Sequence, residues 1–171
     1  MSFTPTELTH LRRAVALAAS ALEAGDAPFG SVLASGAGVS VREDRNRIKT
    51  TGDATRHPEF ELARWAATNM AAADRAAATV YTSGEHCPMC AAAHGWVGLG
   101  RVVYVASAAQ LDAWMQEFRV LGAAAGYESP VASLPVQAVA PGVRVEGPVP
   151  ELEAEIKALH RRYAGLGPVA E

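Results

Sequence analysis

Two short clusters hold the residue types best suited to chemistry: His57-Pro58-Glu59 and, after a gap of 27 residues, Cys87-Pro88-Met89-Cys90. Cysteines three apart on a helix turn both sulfurs to one face. At a helix N-terminus the dipole also favours thiolate over thiol. Two thiolates and an imidazole are ligands that zinc takes in a tetrahedron, and three of them leave the fourth position open to water. Read alone, Cys-x-x-Cys serves thiol–disulfide exchange as readily as zinc, and a lone His at a helix start serves capping or a polar core contact. The two clusters together are more specific. Residues 57 and 59 lie about 200° apart around an ideal helix, so His57 and Glu59 converge only off the helix end. There Glu59 approaches a metal-activated water without ligating the metal, and such a carboxylate takes a proton and passes it to substrate.

Elements that deliver these residues are legible on either side of them. Apolar positions Leu8, Leu11, Val15, Leu17, Ala18 and Leu22 recur at helical spacing and predict a helix over 6–24, stopped by Gly25. Residues 28–34 read as a strand, Gly36-Ala37-Gly38 as a turn, and 39–45 as the returning strand. Positions 46–53 read as a polar loop. A second helix is expected over 55–73, with Pro58 tolerated in its first turn. A β-rich run covers 79–83, and Cys87 opens a third helix with Pro88 at its first position. Glycines 95, 98 and 100 close that segment. A buried strand follows over 101–106, then a helix over 109–121, a loop over 122–135, a short strand within 136–145 and a charged helix over 150–164. This order predicts helices on both faces of one mixed sheet, with the first two strands as a hairpin.

Composition excludes several classes. The chain has 171 residues, half of them hydrophobic and 19% charged, which fits one globular domain over 1–171 and excludes a disordered chain. No segment is long and apolar enough to span a membrane, and the N-terminal residues do not form a secretory signal, so the expected compartment is cytoplasmic. Net charge is −3. Arg42, Arg45, Arg47 and Lys49 cluster, but Glu43 and Asp44 lie among them. The absence of a basic stripe argues against nucleic acid as partner.

His-x-Glu followed by Pro-Cys-x-x-Cys is a signature of zinc nucleobase deaminases, and the chain resembles the cytidine deaminase superfamily, nearest its guanine deaminase and tRNA adenosine deaminase branch. Further support comes from Ala27-Pro28-Phe29-Gly30, Asn46, Gly52-Asp53-Ala54-Thr55 before His57, the run from Thr82 to Cys90, and Trp96 to Tyr104. The likeness covers roughly residues 5–107 and fades beyond, where the divergent end is expected to cap the pocket. It implies a three-layer α/β/α fold around a central mixed five-stranded sheet. It also implies one zinc ion per subunit on His57, Cys87 and Cys90, with Glu59 as proton shuttle. The implied reaction replaces the exocyclic amine of a free nucleobase, nucleoside or related amino-heterocycle by oxygen and releases ammonia. Homodimers are usual in the family.

By the same resemblance, Asn46, Phe29, Glu85, Pro58, His86 and Trp114 are candidate substrate contacts. Asn46 has a competing role in closing the strand-end turn, Phe29 in the core, and Glu85 in a surface or turn carboxylate. Trp114 is a candidate aromatic lid. Trp65 and Trp96 are expected in the core, His10 and His160 on helix surfaces, and His94 near its helix end without a ligand role. Several positions depart from the family pattern. His86 stands where Pro is usual, Gly84 where guanine deaminases often have Cys, and Pro58 where Ala is commoner. No Asp-Asp pair follows in the stretch 110–118, so the ring could equally be guanine, a cytosine-like pyrimidine or an amino-triazine. Three rival readings stand beside this one: a tRNA adenosine deaminase, a Cys-x-x-Cys thiol–disulfide protein, and a noncatalytic zinc-stabilised binding module.

Overall fold

The computed structural model describes residues 3–123 and 129–167; positions 124–128 of the expected 122–135 loop lie outside the described residues. In chain order the elements are α1 (Pro5–Glu23), β1 (Gly30–Ala34), β2 (Ser40–Arg45), α2 (Ile48–Thr51), α3 (Pro58–Asn69), α4 (Ala72–Ala77), β3 (Thr79–Gly84), α5 (Pro88–Val97), β4 (Arg101–Ala106), α6 (Ala108–Val120), α7 (Val136–Val139), β5 (Val145–Glu146) and α8 (Pro150–Tyr163). The five strands form one mixed sheet in the order β2-β1-β3-β4-β5. Strand β1 is antiparallel to β2 and β3, while β3, β4 and β5 run parallel.

The alternation of side chains along each strand assigns the two faces. Val32, Ala34, Tyr81, Val103 and Val105 pack with α1, α6 and α8, through Leu11, Val15, Phe118 and Ile156. On the opposite face Leu33 and Val80 pack against Leu62, Ala63 and Ala66 of α3, and Val102 meets Ala91 of α5. Helix α1 starts on a capping box between Thr4 and Glu7. It presses so closely on β1 that a Cβ at Gly30 would lie 2.4 Å from that of Leu17 and 2.5 Å from the Ala14 carbonyl oxygen. Only glycine permits this approach, which fixes the start of β1 and the residue before it, Phe29.

Three expectations need correction. The helix predicted over 55–73 breaks at Met70 and Ala71, whose backbones are extended, and resumes as α4. The 46–53 loop contains the single turn α2, ended by Gly52 at φ +69°. The strand expected within 136–145 is instead the short helix α7, with only Val145–Glu146 joining the sheet. Val136 and Val143 are buried in one apolar cluster, so their apolar character reflects burial and not β-alternation.

Candidate active site

His57 is the N-cap of α3 and Cys87 the N-cap of α5, both with extended backbones, and each is followed by a proline in the first turn. Two helix N-termini therefore meet at the C-terminal end of β3, the edge of the sheet where parallel strands leave room for ligands. Cys87 Sγ lies 3.5 Å from Cys90 Sγ and 3.6 Å from His57 Nδ1. The three donor atoms all fall within 4.8 Å of one another. A tetrahedral zinc with bonds of about 2.3 Å to sulfur and about 2.05 Å to nitrogen would hold a sulfur–sulfur separation of about 3.8 Å and a sulfur–nitrogen separation of about 3.6 Å. The donor set and the two short separations thus fit zinc, with three protein ligands.

Electrostatics around the cluster favours the thiolate at Cys87. The hydrogen bond with Cys90, helped by His57 and opposed by burial, brings the Cys87 thiol down to about 4. The same contact, with burial added, pushes Cys90 well up. Burial works to lower the His57 imidazole, but Cys87 and Glu59 outweigh it and hold it above its ordinary value.

Glu59 enters from the first turn of α3 and is buried. Its Oε1 accepts hydrogen bonds from Ser31 Oγ at 2.7 Å and Thr82 Oγ1 at 2.9 Å. Its Oε2 lies 3.7 Å from Cys90 Sγ, beside the metal ligands. Burial raises the Glu59 carboxyl above its ordinary range, against His57, Ser31 and Thr82, which favour the carboxylate. A carboxyl moved upward toward neutrality suits a group that both takes and gives a proton.

A cavity of about 340 Å³ opens onto this cluster. His57, Glu59, Cys87 and Phe29 line it, together with Leu111 and Met115 of α6. Glu85 and His86 also line it. Phe29 is half-buried and meets the His160 ring edge-on at 5.1 Å.

Three other candidates, Asn46, Pro58 and Trp114, lie off the cavity wall. Asn46 is not among the lining residues; it is buried, and its Oδ1 accepts the Ile48 N–H at 3.1 Å, closing the turn after β2. Pro58 is buried in the first turn of α3 and also stays off the cavity wall. Trp114, expected as an aromatic lid, is a correction: its ring is buried in the core 6.1 Å from His160, and the next side chain, Met115, reaches the cavity. Glu85 has both oxygens engaged, Oε2 by the Ala108 N–H and Oε1 by the Val136 N–H, each at 2.9 Å. It therefore ties the N-termini of α6 and α7 together beneath the cavity. His86 and His94 are both buried with rings 5.2 Å apart, and His94 Nε2 lies 3.2 Å from the Gly100 carbonyl oxygen.

Three further assignments reverse. Trp96, expected in the core, is 91% exposed. His10 and His160, expected on surfaces, are buried: His10 stacks on Tyr81 and bonds the Gly38 carbonyl, and burial brings His160 down to about 3. Composition and motif reading also passed over Ser31, Thr82 and Asp26. The signal for Ser31 was available, because a hydroxyl interrupts the otherwise apolar run Gly30-Ser-Val-Leu-Ala34 of a wholly buried strand. Asp26 is fully buried and accepts bonds from the Lys49 and Thr50 N–H groups, Thr50 Oγ1 and Arg45, fixing the chain that follows β2.

Comparison with known proteins places this geometry. Residues 5–106 match the family model of the cytidine and deoxycytidylate deaminase zinc-binding region. Guanine deaminase of Bacillus subtilis is 37% identical over 99 residues, which cover 57% of this chain and 63% of that protein, so the match spans somewhat under two thirds of the relative. A structure from a study of A-to-I editing by tRNA:A34 deaminases is 32% identical, with a TM-score of 0.52, covering 59% of this chain and 78% of its own. The guanine deaminase of Nitrosomonas europaea has a TM-score of 0.69 at 17% identity, over 96% of this chain and 87% of its own. At that identity the likeness concerns the fold, and it extends through the C-terminal part that the family model does not reach.

Proposed function

The chain belongs to the cytidine and deoxycytidylate deaminase zinc-binding family, and from that premise we infer that it is a hydrolytic deaminase. We propose that it acts as one domain on a free nucleobase, nucleoside or related amino-heterocycle, replacing an exocyclic amine by oxygen and releasing ammonia. The observation that carries this reading is the buried Glu59 carboxylate beside the His57, Cys87 and Cys90 cluster, with Glu59, His57 and Cys87 lining a ligand-sized cavity.

His57, Cys87 and Cys90 would hold the metal. When bound, zinc supplies Lewis-acid activation of water at the position its three protein ligands leave open. Glu59 would take one proton from the attacking water and deliver it to a ring nitrogen as the C–O bond forms, then take the second proton from the resulting hydroxyl and deliver it to the amine as the C–N bond breaks, so that ammonia leaves and the carbonyl forms. Phe29 offers an apolar face to a planar ring, and the helix start at Cys87 directs backbone N–H groups toward the oxygen that gains charge. Leu111 and Met115 add apolar side chains to the cavity lining. A carboxylate at the metal centre distinguishes this site from a structural zinc module, and His57-x-Glu59 has no part in a thiol–disulfide mechanism.

Ring identity is tested by an ammonia-release screen of the zinc-loaded protein on guanine, cytosine, adenine, their nucleosides and amino-triazines. Turnover of one of these small rings is expected. Turnover of adenosine only within a tRNA anticodon loop, with salt-dependent binding of that RNA, would replace this substrate class by the tRNA reading.

A further inference from the structure

Ser31 and Thr82 are directly opposed in the antiparallel pairing of β1 with β3, and both are fully buried. Side chains opposed in this way share a face of the sheet, here the face that carries α3. Their hydroxyls are 2.9 Å apart, and both reach the same oxygen of Glu59, Oε1, at 2.7 and 2.9 Å. Neither hydroxyl lines the cavity or belongs to the metal-binding cluster. Buried hydroxyls are costly unless they are paired, and these two converge on a single atom of the Glu59 carboxylate.

We propose that Ser31 and Thr82 are positioning residues that hold Oε1 of Glu59 and thereby keep Oε2 turned toward the metal-binding cluster. This inference rests on the reading of Glu59 as the proton carrier. Proton bookkeeping supports the division of labour. Each hydroxyl has one proton to donate. Ser31 can donate to Oε1 at 2.7 Å or to Thr82 Oγ1 at 2.9 Å, and Thr82 to Oε1 or to the Gly84 carbonyl oxygen, both at 2.9 Å; the shortest of these contacts is Ser31 to Oε1. With both hydroxyls at Oε1, that oxygen is anchored on the β1–β3 side, and Oε2 is left on the side of Cys90. The two contacts also fix the rotation of the carboxylate about its last bond, which a buried side chain tethered only at Cα would not define. Such rotation matters because a catalytic group displaced by an ångström loses much of its effect.

The test uses zinc-loaded protein and the variants S31A, T82V, T82S and the double variant S31A/T82V. T82V keeps the shape and removes the hydroxyl; T82S keeps the hydroxyl and removes a methyl. Zinc content is expected to stay at the wild-type level in all four. Turnover is expected to fall about tenfold in S31A and T82V and ~10²-fold in the double variant, with T82S near wild type. KM should move by no more than about twofold, since ground-state binding is untouched. In an E59Q background the same hydroxyl deletions should have no further effect on kcat. Equal losses in the E59Q background, or T82S falling with T82V, would overturn the proposal. A crystal structure of the zinc-loaded double variant supplies a readout independent of turnover. The Glu59 carboxylate is expected to be rotated or split between conformers, and an unmoved single conformer would overturn the clamp. If wild-type protein released ammonia from no ring tested, the functional reading would fail, and the crystal structure would still decide the clamp.

Discussion

Replacement of Glu85 by glutamine separates two roles for this residue. Glu85 leads into the metal-binding turn and lines the cavity, yet its two oxygens accept the Ala108 and Val136 N–H groups at 2.9 Å each. Those N–H groups begin α6 and α7, and helix-starting N–H groups have no intrahelical partner. A hydrogen bond to a charged acceptor contributes about 1.5–3 kcal/mol, and an unmatched buried donor costs about 1–3 kcal/mol. Glutamine keeps one acceptor oxygen but turns an amide nitrogen toward the other N–H, losing one bond and weakening the second. The expected destabilisation is about 2–3 kcal/mol, or a Tm lower by about 4–12 °C for a chain of this size. The assay is equilibrium urea unfolding of zinc-loaded wild type and E85Q, alongside kcat/KM on the best substrate of the screen. The structural account expects the stability loss, with kcat/KM reduced by less than about tenfold because no substrate contact is removed. Stability unchanged within about 0.5 kcal/mol, together with a collapse of kcat/KM, would refute the reasoning and make Glu85 a group that reads the substrate.

Other outcomes follow from the same structure. E59Q should keep its fold and zinc and lose ~10²–10⁴-fold in turnover, the span of general acid–base groups; ammonia release at the wild-type rate would remove Glu59 from the chemistry. D26N should lose about 3–5 kcal/mol, because it leaves the buried Arg45 contact and the α2 N–H groups without their anion. Burial raises the Asp26 carboxyl, but its bonds to Thr50, Arg45 and Lys49 outweigh this and hold it below its ordinary value. Its contribution is therefore complete above the unfolded-state pKa of about 3.9 and fades as pH falls through the lower folded value. Wild type and D26N should accordingly converge in acid-unfolding titrations, and a constant stability gap down to low pH would contradict the assignment. W114A should lose about 3–5 kcal/mol as a core truncation, whereas W114F should leave KM unchanged; a large KM effect in W114F would restore the lid.

What the sequence revealed follows from how local each constraint is. His57, Glu59, Cys87 and Cys90 were legible because their spacing and the prolines beside them define two helix starts, and the structure brings those two starts together. The sheet was legible from apolar runs and from the glycines at its turns. Features set by tertiary packing were not. Trp96 and Trp114 belong to the same residue type on similar helices, and only the packing of neighbouring layers decides that one is exposed and the other buried. The break after Asn69 has only a weak local signal, the poor helix formers Thr68 and Asn69 set among alanines that favour helix on both sides. Val136 and Val143 read as strand because burial, not alternation, selected their apolar side chains. Ser31 and Thr82 acquire meaning only through the β1–β3 register, a pairing 51 residues apart in the chain.

The account depends on a zinc ion held by one imidazole and two thiolates, and metal analysis of the purified protein tests it most directly. About one zinc per chain is expected in wild type, absent from H57A and C87A, with both thiols unreactive until the metal is chelated. A folded wild-type protein that excludes zinc after reconstitution and carries a Cys87–Cys90 disulfide would contradict it.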